Sequence, residues 1–352
     1  MITRIFIALI LAASMCRADL HSFTAAKQAA RDGVIRFTYD AVVSIDPVIT
    51  STLGDSEFRW TKPNGDTFSG KAPSGTNWTE TGTYVLWCSD WSKLMQLNHN
   101  NDAGLITFDI GYRQLRPLIS LRRLYLHSTS VYGNISGWIL PASLDFLYLY
   151  NTSVYGNISG WILPASLDYL YMSNTSVSGD ISGWILPASL DYLDLFNTSV
   201  SGDISVWTLP ASLGYLSMYN TSVSGDISGW TLPASLEYLR LSDTSVSGDI
   251  SGWTLPAAMN SLQLYNTSCD YDSSSGCFTN TPSSIRKIRM DNCTLTSNQV
   301  DNVLVDCDTS GIATNGTDSI TLNLAGDDEA PSSTGLTAYT NLVANGLTVT
   351  IN

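Results

Sequence analysis

Aromatic side chains recur every 23 residues in the middle of the chain, and their type and spacing suit ligand binding. Counted from the leucine that begins each repeat, the third place is held by Phe146, Tyr169, Tyr192, Tyr215 and Tyr238. The fifth place is held by Tyr125, Tyr148 and Tyr171 and then by Asp194, Ser217 and Arg240. The seventh place includes Tyr150, Phe196, Tyr219 and Tyr265. Tyrosine is rigid and amphipathic, so it can stack on sugar rings or pack against a protein.

These rows predict a binding face for a protein or a glycan. Its residues are Tyr125, Tyr148, Tyr169, Tyr171, Tyr192, Asp194, Tyr215, Tyr219, Tyr238 and Arg240. A purely structural role is the alternative, because aromatic pairs across neighbouring strands stabilise a sheet by about 0.5–1.5 kcal/mol each. The variation at the fifth place is expected of a discriminating surface, although sequence drift would also produce it.

Two polar rows follow the same period. The first is acidic and follows the repeat glycines: Asp180, Asp203, Asp226 and Asp249. Single carboxylates make a poor calcium site, so we expect a solvated edge bonded to turn amides. We therefore predict neither metal nor cofactor. An asparagine row forms glycosylation sequons that lie one strand apart and are too crowded for full occupancy: Asn151, Asn174, Asn197, Asn220 and Asn266. We interpret it as a structural ladder in which the following threonines bond the next coil.

The sequence gives little support for a catalytic function. The histidines are His21, His99 and His127, and no serine-hydrolase, zinc-protease or phosphate-loop motif accompanies them. His127 stands at an outward seventh place, where a surface position is expected. The sequence therefore predicts a protein that is not an enzyme.

The cysteines suggest disulfides in an oxidising compartment. Cys269 and Cys277 are separated by a short polar loop, and we predict that they form a disulfide. A Cys293–Cys307 pair is a second possibility, and two buried thiols acting as small apolar groups are its alternative.

The repeat itself explains how these rows are positioned. Between Leu121 and Ser268 it reads L-x-x-L-x-L-x-N-T-S-V-x-G-D/N-I-S-x-W-x-L-P-A-S, with tryptophans at 138, 161, 184, 207, 230 and 253. A unit this short must stack on its neighbours, burying its leucines and tryptophans. Leu170 and Met172 alternate as a short strand, and Gly179 is expected to form a turn. The pattern resembles the leucine-rich-repeat family, and this implies an α/β-type solenoid, mainly β: a right-handed coil with a parallel sheet over residues 105–284.

The two ends of the chain differ from the repeats. An apolar run before Ala18 predicts a signal peptide over residues 1–18, with lipidation at Cys16 as the alternative. Alternating segments in residues 19–104 predict a small β-sandwich that resembles the polycystic-kidney-disease-type (PKD) module, through Phe58-Arg59-Trp60, Asn64-Gly65-Asp66 and the Gly82-Thr83-Tyr84 strand. Residues 285–352 are expected to form a last repeat and an αβ cap, with Ser297 capping a helix. They resemble the caps of bacterial leucine-rich-repeat proteins.

Charge narrows the partners. The net charge of −14 argues against nucleic acid, and no second long apolar segment predicts a membrane span in the mature chain. We expect a secreted or cell-surface protein that binds a protein or glycan, with adhesion as its use. A structural surface spacer without a ligand and a proteinaceous inhibitor are the alternatives.

Overall fold

The structure is a computed structural model. It describes residues 34–39, 48–51, 53, 58–63, 67–70, 82–88, 94–98, 105–109, 120–273, 276–312 and 320–352. The predicted signal peptide lies outside these residues. The chain divides into two compact units, which we call unit 1 (Met1–Leu144 with Thr152–Val154) and unit 2 (Asp145–Asn151 with Tyr155–Asn352).

Unit 1 begins with antiparallel strands. Its strands are β1 (Val34–Tyr39), β2 (Val48–Ser51), β3 (Phe58–Thr61), β4 (Thr67–Ser69), β5 (Gly82–Cys88), β6 (Leu94–Asn98), β7 (Leu105–Asp109), β8 (Arg123–Tyr125) and β9 (Tyr132–Asn134). One sheet has the order β9-β7-β1-β5-β3-β4, and β2, β6 and β8 are neighbours in another. The alternating segments around Phe58-Arg59-Trp60 and Gly82-Thr83-Tyr84 are the strands β3 and β5, in which Phe58, Trp60 and Leu86 are fully buried.

Unit 2 is a mainly β leucine-rich-repeat solenoid, as the repeat predicts. The first set of strands is β10 (Phe146–Tyr148), β12 (Tyr169–Tyr171), β14 (Tyr192–Asp194), β16 (Tyr215–Ser217), β18 (Tyr238–Arg240), β20 (Ser261–Gln263), β22 (Lys287–Arg289), β23 (Thr321–Asn323) and β24 (Thr348–Thr350). Neighbours pair in parallel with a register that matches equivalent repeat places, such as Tyr169 opposite Tyr192. The rows seen in the sequence are therefore rows in space.

A second parallel sheet passes through the same coils, and the sequence interpretation missed it. Its strands are β11 (Ser153–Asn157), β13 (Ser176–Asp180), β15 (Ser199–Asp203), β17 (Ser222–Asp226), β19 (Ser245–Asp249) and β21 (Ser268–Asp270). Gly179, expected in a turn, lies inside β13 with a φ of 122°. Only glycine adopts this φ readily, so the strand continues where another residue would be strained. The expectation of a turn at Gly179 was wrong.

Tryptophan and aliphatic columns fill the interior between the two sheets of unit 2. Trp161, Trp184, Trp207, Trp230 and Trp253 are each 5–6% exposed, and the leucines at the first and fourth places are fully buried. Trp138, in unit 1, is only half-buried. The indole Nε1 of Trp230 donates to Ile204 O at 3.3 Å, whereas the Nε1 of Trp207 has no acceptor. The column predicted from the 23-residue spacing is thus confirmed for the five tryptophans of unit 2.

The asparagine row is a ladder of side-chain amides. Asn174 Nδ2 donates to Asn151 Oδ1 at 2.8 Å, and Asn197 repeats the bond to Asn174. Each asparagine of the row has a left-handed φ of 53–54°. Asparagine tolerates this conformation because its amide bonds locally. Four of the following threonines bond their own coil and not the next one as predicted, since each Oγ1 donates to the carbonyl three residues back: Thr175, Thr198, Thr221 and Thr244.

Helices alternate with strands at the end of unit 2. A 3₁₀ helix, η1 (Cys277–Asn280), precedes helices α1 (Ser297–Thr309) and α2 (Ser333–Ala344). The cap of α1 is Thr296 rather than Ser297, because Thr296 and Gln299 form a reciprocal capping box. Within the described residues, no helix has both the length and the apolar character needed to cross a membrane.

The predicted cysteine pairs do not form. Cys269, Cys277, Cys293 and Cys307 are all buried free thiols. Cys269 takes the valine place of β21 and faces the core, where its backbone N–H bonds Thr267 Oγ1; Cys293 Sγ lies 3.6 Å from the same hydroxyl. Burial raises the pKa of the Cys269 and Cys277 thiols to about 12. The Cys269–Cys277 disulfide expected from the short loop was therefore wrong, since the strand directs Cys269 inward.

Candidate functional site: the tyrosine face of unit 2

Short strands position one continuous set of outward side chains. In β12 the pattern is half-buried, buried, half-buried for Tyr169, Leu170 and Tyr171, because successive strand residues point to opposite sides. We define the tyrosine face as the outward residues of five strands and the residue two places after three of them. They are Phe146, Tyr148, Tyr150, Tyr169, Tyr171, Tyr192, Asp194, Phe196, Tyr215, Ser217, Tyr219, Tyr238 and Arg240.

Of the predicted binding residues, Tyr125 alone lies outside unit 2. It is half-buried in β8 of unit 1. The other nine residues share the tyrosine face. His127, the seventh-place residue of the same repeat as Tyr125, is 8% exposed, and burial lowers the pKa of its imidazole. The expectation that His127 lies at the surface was wrong, since the neighbouring side chains cover it.

The third-place rings form a ladder of neighbours. Ring centroids are 5.0 Å apart between Phe146 and Tyr169, 5.5 Å between Tyr169 and Tyr192, and 4.2 Å between Tyr192 and Tyr215. These three pairs are stacked within 18° of parallel, and Tyr215 and Tyr238 continue the row at 5.6 Å with a tilt. The parallel register of the strands fixes this spacing. The rings are held rigid by one another and keep one edge in solvent.

The fifth and seventh places add a second aromatic layer. Tyr150 stacks on Tyr171 with centroids 3.9 Å apart, and Phe196 stacks on Tyr219 at 4.5 Å. Tyr171 also lies 5.4 Å from Tyr192 in a tilted arrangement. The rows therefore contact each other as well as themselves, so the face is one surface rather than separate lines of rings.

An acidic edge runs beside the ladder, and the sequence interpretation missed it. Asp145, Asp168 and Asp191 occupy the second place of three successive repeats. Burial, and then the charges of Asp191 and Asp145, raise the pKa of Asp168. Tyr169 Oη donates to Asp191 Oδ2 at 3.0 Å, and burial with this bond raises the tyrosine pKa to about 12. The Asp-Tyr dipeptide repeated in the sequence was the available signal.

A glycine explains how Asp191 is held. Gly214 N donates to Asp191 Oδ1 at 3.1 Å. A Cβ at residue 214 would lie 2.6 Å from that oxygen, so the absence of a side chain leaves the carboxylate its place. Asp191 is thereby held against the next coil, and it orients the phenol of Tyr169 through the hydrogen bond.

Asp194 is a buried carboxylate on an outward place. Its residue is 1% exposed and the adjacent Ser217 is fully covered. Oδ1 accepts a bond from Phe196 N at 3.3 Å, whereas Oδ2 and Ser217 Oγ have no hydrogen-bond partner. Burial raises the pKa of Asp194 to about 7, against the lowering effects of the Phe196 N–H, Ser217 and Arg240. An unmet acceptor of this kind is costly unless a ligand or water satisfies it.

Arg240 holds the fifth place in β18, two strands after Asp194 in the same sheet. Its Nη1 donates to Tyr215 Oη at 3.1 Å, and the guanidinium lies 5.5 Å from the Tyr215 ring and 5.4 Å from the Tyr238 ring. Its Nε is buried without a partner. Arg240 therefore packs on the aromatic ladder instead of making a hydrogen bond to the free oxygen of Asp194.

The aspartates of the second sheet have a structural task. Asp180 Oδ1 accepts from Ser182 N at 2.9 Å, and hydrogen bonds from Ser182 lower the pKa of Asp180. A Cβ on Gly202 would lie 2.2 Å from the same oxygen, so Asp180 fits over the glycine of the next coil, as Asp203 and Asp226 also do. This agrees with the predicted bonding to turn amides. Within the described residues, no group of acidic, histidine or cysteine side chains has a metal-binding arrangement.

Comparisons with known proteins give structural likeness only. No family model and no curated protein matches the sequence. The plant peptide hormone receptor RGFR1 in complex with RGF2 is 15% identical, with 71% of this chain and 48% of that chain covered and a TM-score of 0.35. The Arabidopsis receptor kinase HAESA, with the peptide hormone IDA and the co-receptor SERK1, is 15% identical, with 67% and 54% covered and a TM-score of 0.34.

A plant ice-binding protein is also similar, at 19% identity over 51% of this chain and 66% of that chain, with a TM-score of 0.32. The chain spans about half the length of the two receptor chains that it matches. At these scores the likenesses say nothing about a ligand, so a function has to be inferred from the geometry of the tyrosine face.

Proposed function

We propose that this chain is an extracellular binding protein whose tyrosine face docks against a protein or peptide. The observation that carries the proposal is the ladder of stacked, half-exposed rings from Phe146 to Tyr238. Rings that are already ordered lose little side-chain entropy on binding, so their contact area converts efficiently into affinity. A structure that needed only a stable sheet would not require buried polar atoms on the same face, yet Asp194 Oδ2 and Ser217 Oγ are present there unpaired.

The cellular setting is inferred from the sequence. A signal peptide over residues 1–18 would export the chain, and a PKD-like module over residues 19–104 would act as a spacer before a solenoid over residues 105–284 and a cap over residues 285–352. Adhesion by an exported bacterial protein is the form of this function that we infer. A spacer without a ligand and an inhibitor that forms a tight one-to-one complex are outcomes that the experiment separates.

The test is a selection of displayed random peptides on the full chain, run beside a glycan array. Tyr171→Ser and Tyr192→Ser should each abolish the binding of selected peptides. The matched control is Tyr155→Ser, because Tyr155 is an exposed tyrosine of β11 in the other sheet and should leave binding unchanged. Circular dichroism of each variant confirms that it is folded.

The proposed function would be refuted if no peptide is selected, or if the selected peptides bind the unaltered chain and the three variants equally. Hits confined to the glycan array and lost with Tyr192→Ser would assign the face to sugars instead. One-to-one binding of a folded enzyme with its inhibition would support the inhibitor.

A further inference from the structure

Asp194 is the one carboxylate of the tyrosine face that is both buried and short of a hydrogen-bond donor, among the residues that the structure describes. The side chain lies at an outward place between Leu193 and Leu195, both of which are fully buried on the opposite side. Its burial therefore comes from longer neighbours on the face and not from the core. The strand register places Tyr171 and Ser217 directly beside Asp194. Tyr192, Tyr215, Tyr219 and Arg240 are near enough to interact with its charge.

The donors within the protein do not satisfy Asp194. The hydroxyls of Ser217 and Tyr192 lie close enough to favour its ionised form, but neither makes a hydrogen bond of good geometry to Oδ2. Arg240 stands two strands away, about 10 Å at the usual strand spacing, and its Nη1 is bonded to Tyr215 instead. A buried anionic oxygen without a donor gains most from a charged donor.

The surroundings favour a cation over a neutral donor. Tyrosine rings attract a cation over their faces, and the Tyr171 and Tyr192 rings are tilted neighbours 5.4 Å apart beside Asp194. The acidic edge of Asp145, Asp168 and Asp191 borders the same face, and burial followed by the charges of Asp191 and Asp145 raises the pKa of Asp168. The net charge of −14 would steer a basic partner toward the protein.

We propose that Asp194 recognises a basic side chain, a lysine ammonium or an arginine guanidinium, of the peptide or protein that docks on the tyrosine face. This inference rests on the proposed function. Because Asp194 is 1% exposed, the basic group reaches Oδ2 only when a neighbouring ring outside the third-place ladder, Tyr171 or Tyr219, moves aside, while the ladder itself stays in place. The aliphatic stem of the ligand side chain then lies against the rings, and Ser217 Oγ is placed beside it as a second polar group.

The experiment is a double-mutant cycle on a selected peptide. Peptides are selected at pH 8 against the full chain, against Asp194→Asn and against Asp203→Asn. Asp203 is an exposed aspartate of the second sheet, so its substitution removes the same charge away from the tyrosine face. We expect lysine or arginine to be enriched with the full chain and with Asp203→Asn, and not with Asp194→Asn.

The best peptide is then remade with norleucine for lysine or citrulline for arginine. The replacement should weaken binding at least tenfold for the unaltered chain and for Asp203→Asn, and less than twofold for Asp194→Asn. Between pH 8 and pH 5.5 the affinity of the unaltered chain should fall, whereas Asp194→Asn should not respond. The other groups facing Asp194 are Arg240 and four tyrosines whose pKa burial raises: Tyr171, Tyr192, Tyr215 and Tyr219. Neither arginine nor a tyrosine with a raised pKa titrates between pH 5.5 and pH 8, so Asp194 is the group that changes.

Each outcome decides between the two proposals. Peptides that need Tyr192 but show neither basic enrichment nor the cycle difference overturn this inference and leave the proposed function standing. Acidic peptides that depend on Arg240 overturn it as well. Absence of any peptide that depends on the tyrosine face overturns the proposed function and this inference with it.

Discussion

Replacing a buried indole should cost more stability than removing a ring from the outer face one strand later in the chain. The pair to compare is Trp207→Ala and Tyr215→Ala, which lie in neighbouring coils and therefore report on the same part of unit 2. Trp207 is 6% exposed and Tyr215 is half-buried. If the coils bury the tryptophan column as described, the two variants must separate clearly.

The magnitudes depend on the contacts of each residue. A buried tryptophan removes about 150–250 Å² from water, worth at most about 4–6 kcal/mol, and comparable truncations cost about 3–5 kcal/mol. No hydrogen bond is lost, because Trp207 Nε1 has no acceptor. Tyr215 loses ring contacts with Tyr192 and Tyr238, each worth about 0.5–1.5 kcal/mol. It also loses the hydrogen bond from Arg240, worth about 0.5–1.5 kcal/mol. At the middle of these ranges, the expected difference in unfolding free energy is about 1 kcal/mol.

Urea unfolding of the full chain, followed by far-ultraviolet circular dichroism, measures this difference. Ile185→Ala is the matched control, since Ile185 is 86% exposed and its truncation should change the free energy of unfolding by less than about 0.5 kcal/mol. Equal midpoints for Trp207→Ala and Tyr215→Ala, or a lower midpoint for Tyr215→Ala, would refute the assignment of inside and outside.

Three further predictions concern the backbone, the amide ladder and the buried carboxylate. Gly202→Ala should lower the urea midpoint strongly, because its Cβ would lie 2.2 Å from Asp180 Oδ1. The control Gly229→Ala should be nearly neutral, since open space surrounds residue 229. Equal midpoints for the two variants would contradict this. Asn197→Ala should lower the melting temperature, because alanine pays about 1–2 kcal/mol for the left-handed backbone conformation and the bonds of the amide ladder are lost. Asn197→Gly should lower it less, since glycine adopts that conformation freely. The reverse order would be inconsistent with the φ of 53°. The pKa of Asp194 is raised to about 7 in the folded chain, so the folded state prefers its protonated form and its contribution to stability is lost as pH rises from about 4 to 7. Unfolding measured across pH should therefore show Asp194→Asn gaining stability over the unaltered chain in this window, on the order of 4 kcal/mol at its upper end, and a pH-independent difference would be the contrary result.

The repeat period predicted the solenoid of unit 2, the inward tryptophans and the outward tyrosines. It did so because the rows depend only on the spacing within one coil, which recurs without change. Trp184 and Trp230 occupy equivalent places and both donate to the backbone of the preceding coil. Trp138, in unit 1, is less buried than these tryptophans.

The repeat period could not predict features that depend on how long and short side chains of neighbouring coils contact each other. The burial of Asp194 and Ser217 arises from long neighbours in adjacent coils, and the Tyr169–Asp191 bond joins two repeats. Cys269 and Cys277 are near in sequence, but the strand direction of β21 turns Cys269 into the core. The second sheet was missed because a glycine at left-handed φ inside a strand resembles a turn in sequence.

Hydroxyl-radical footprinting with mass spectrometry tests whether stacked coils bury the tryptophan column and present the tyrosine face, since it reports the solvent exposure of individual side chains in the full chain. Tryptophan is intrinsically more reactive than isoleucine, so its protection inside the coils is easily recognised. Protection of Trp184 and Trp207 beside rapid modification of the 86% exposed Ile185 is the predicted result. Modification of these tryptophans faster than Ile185, with the tyrosines of β14 and β16 protected, would contradict it.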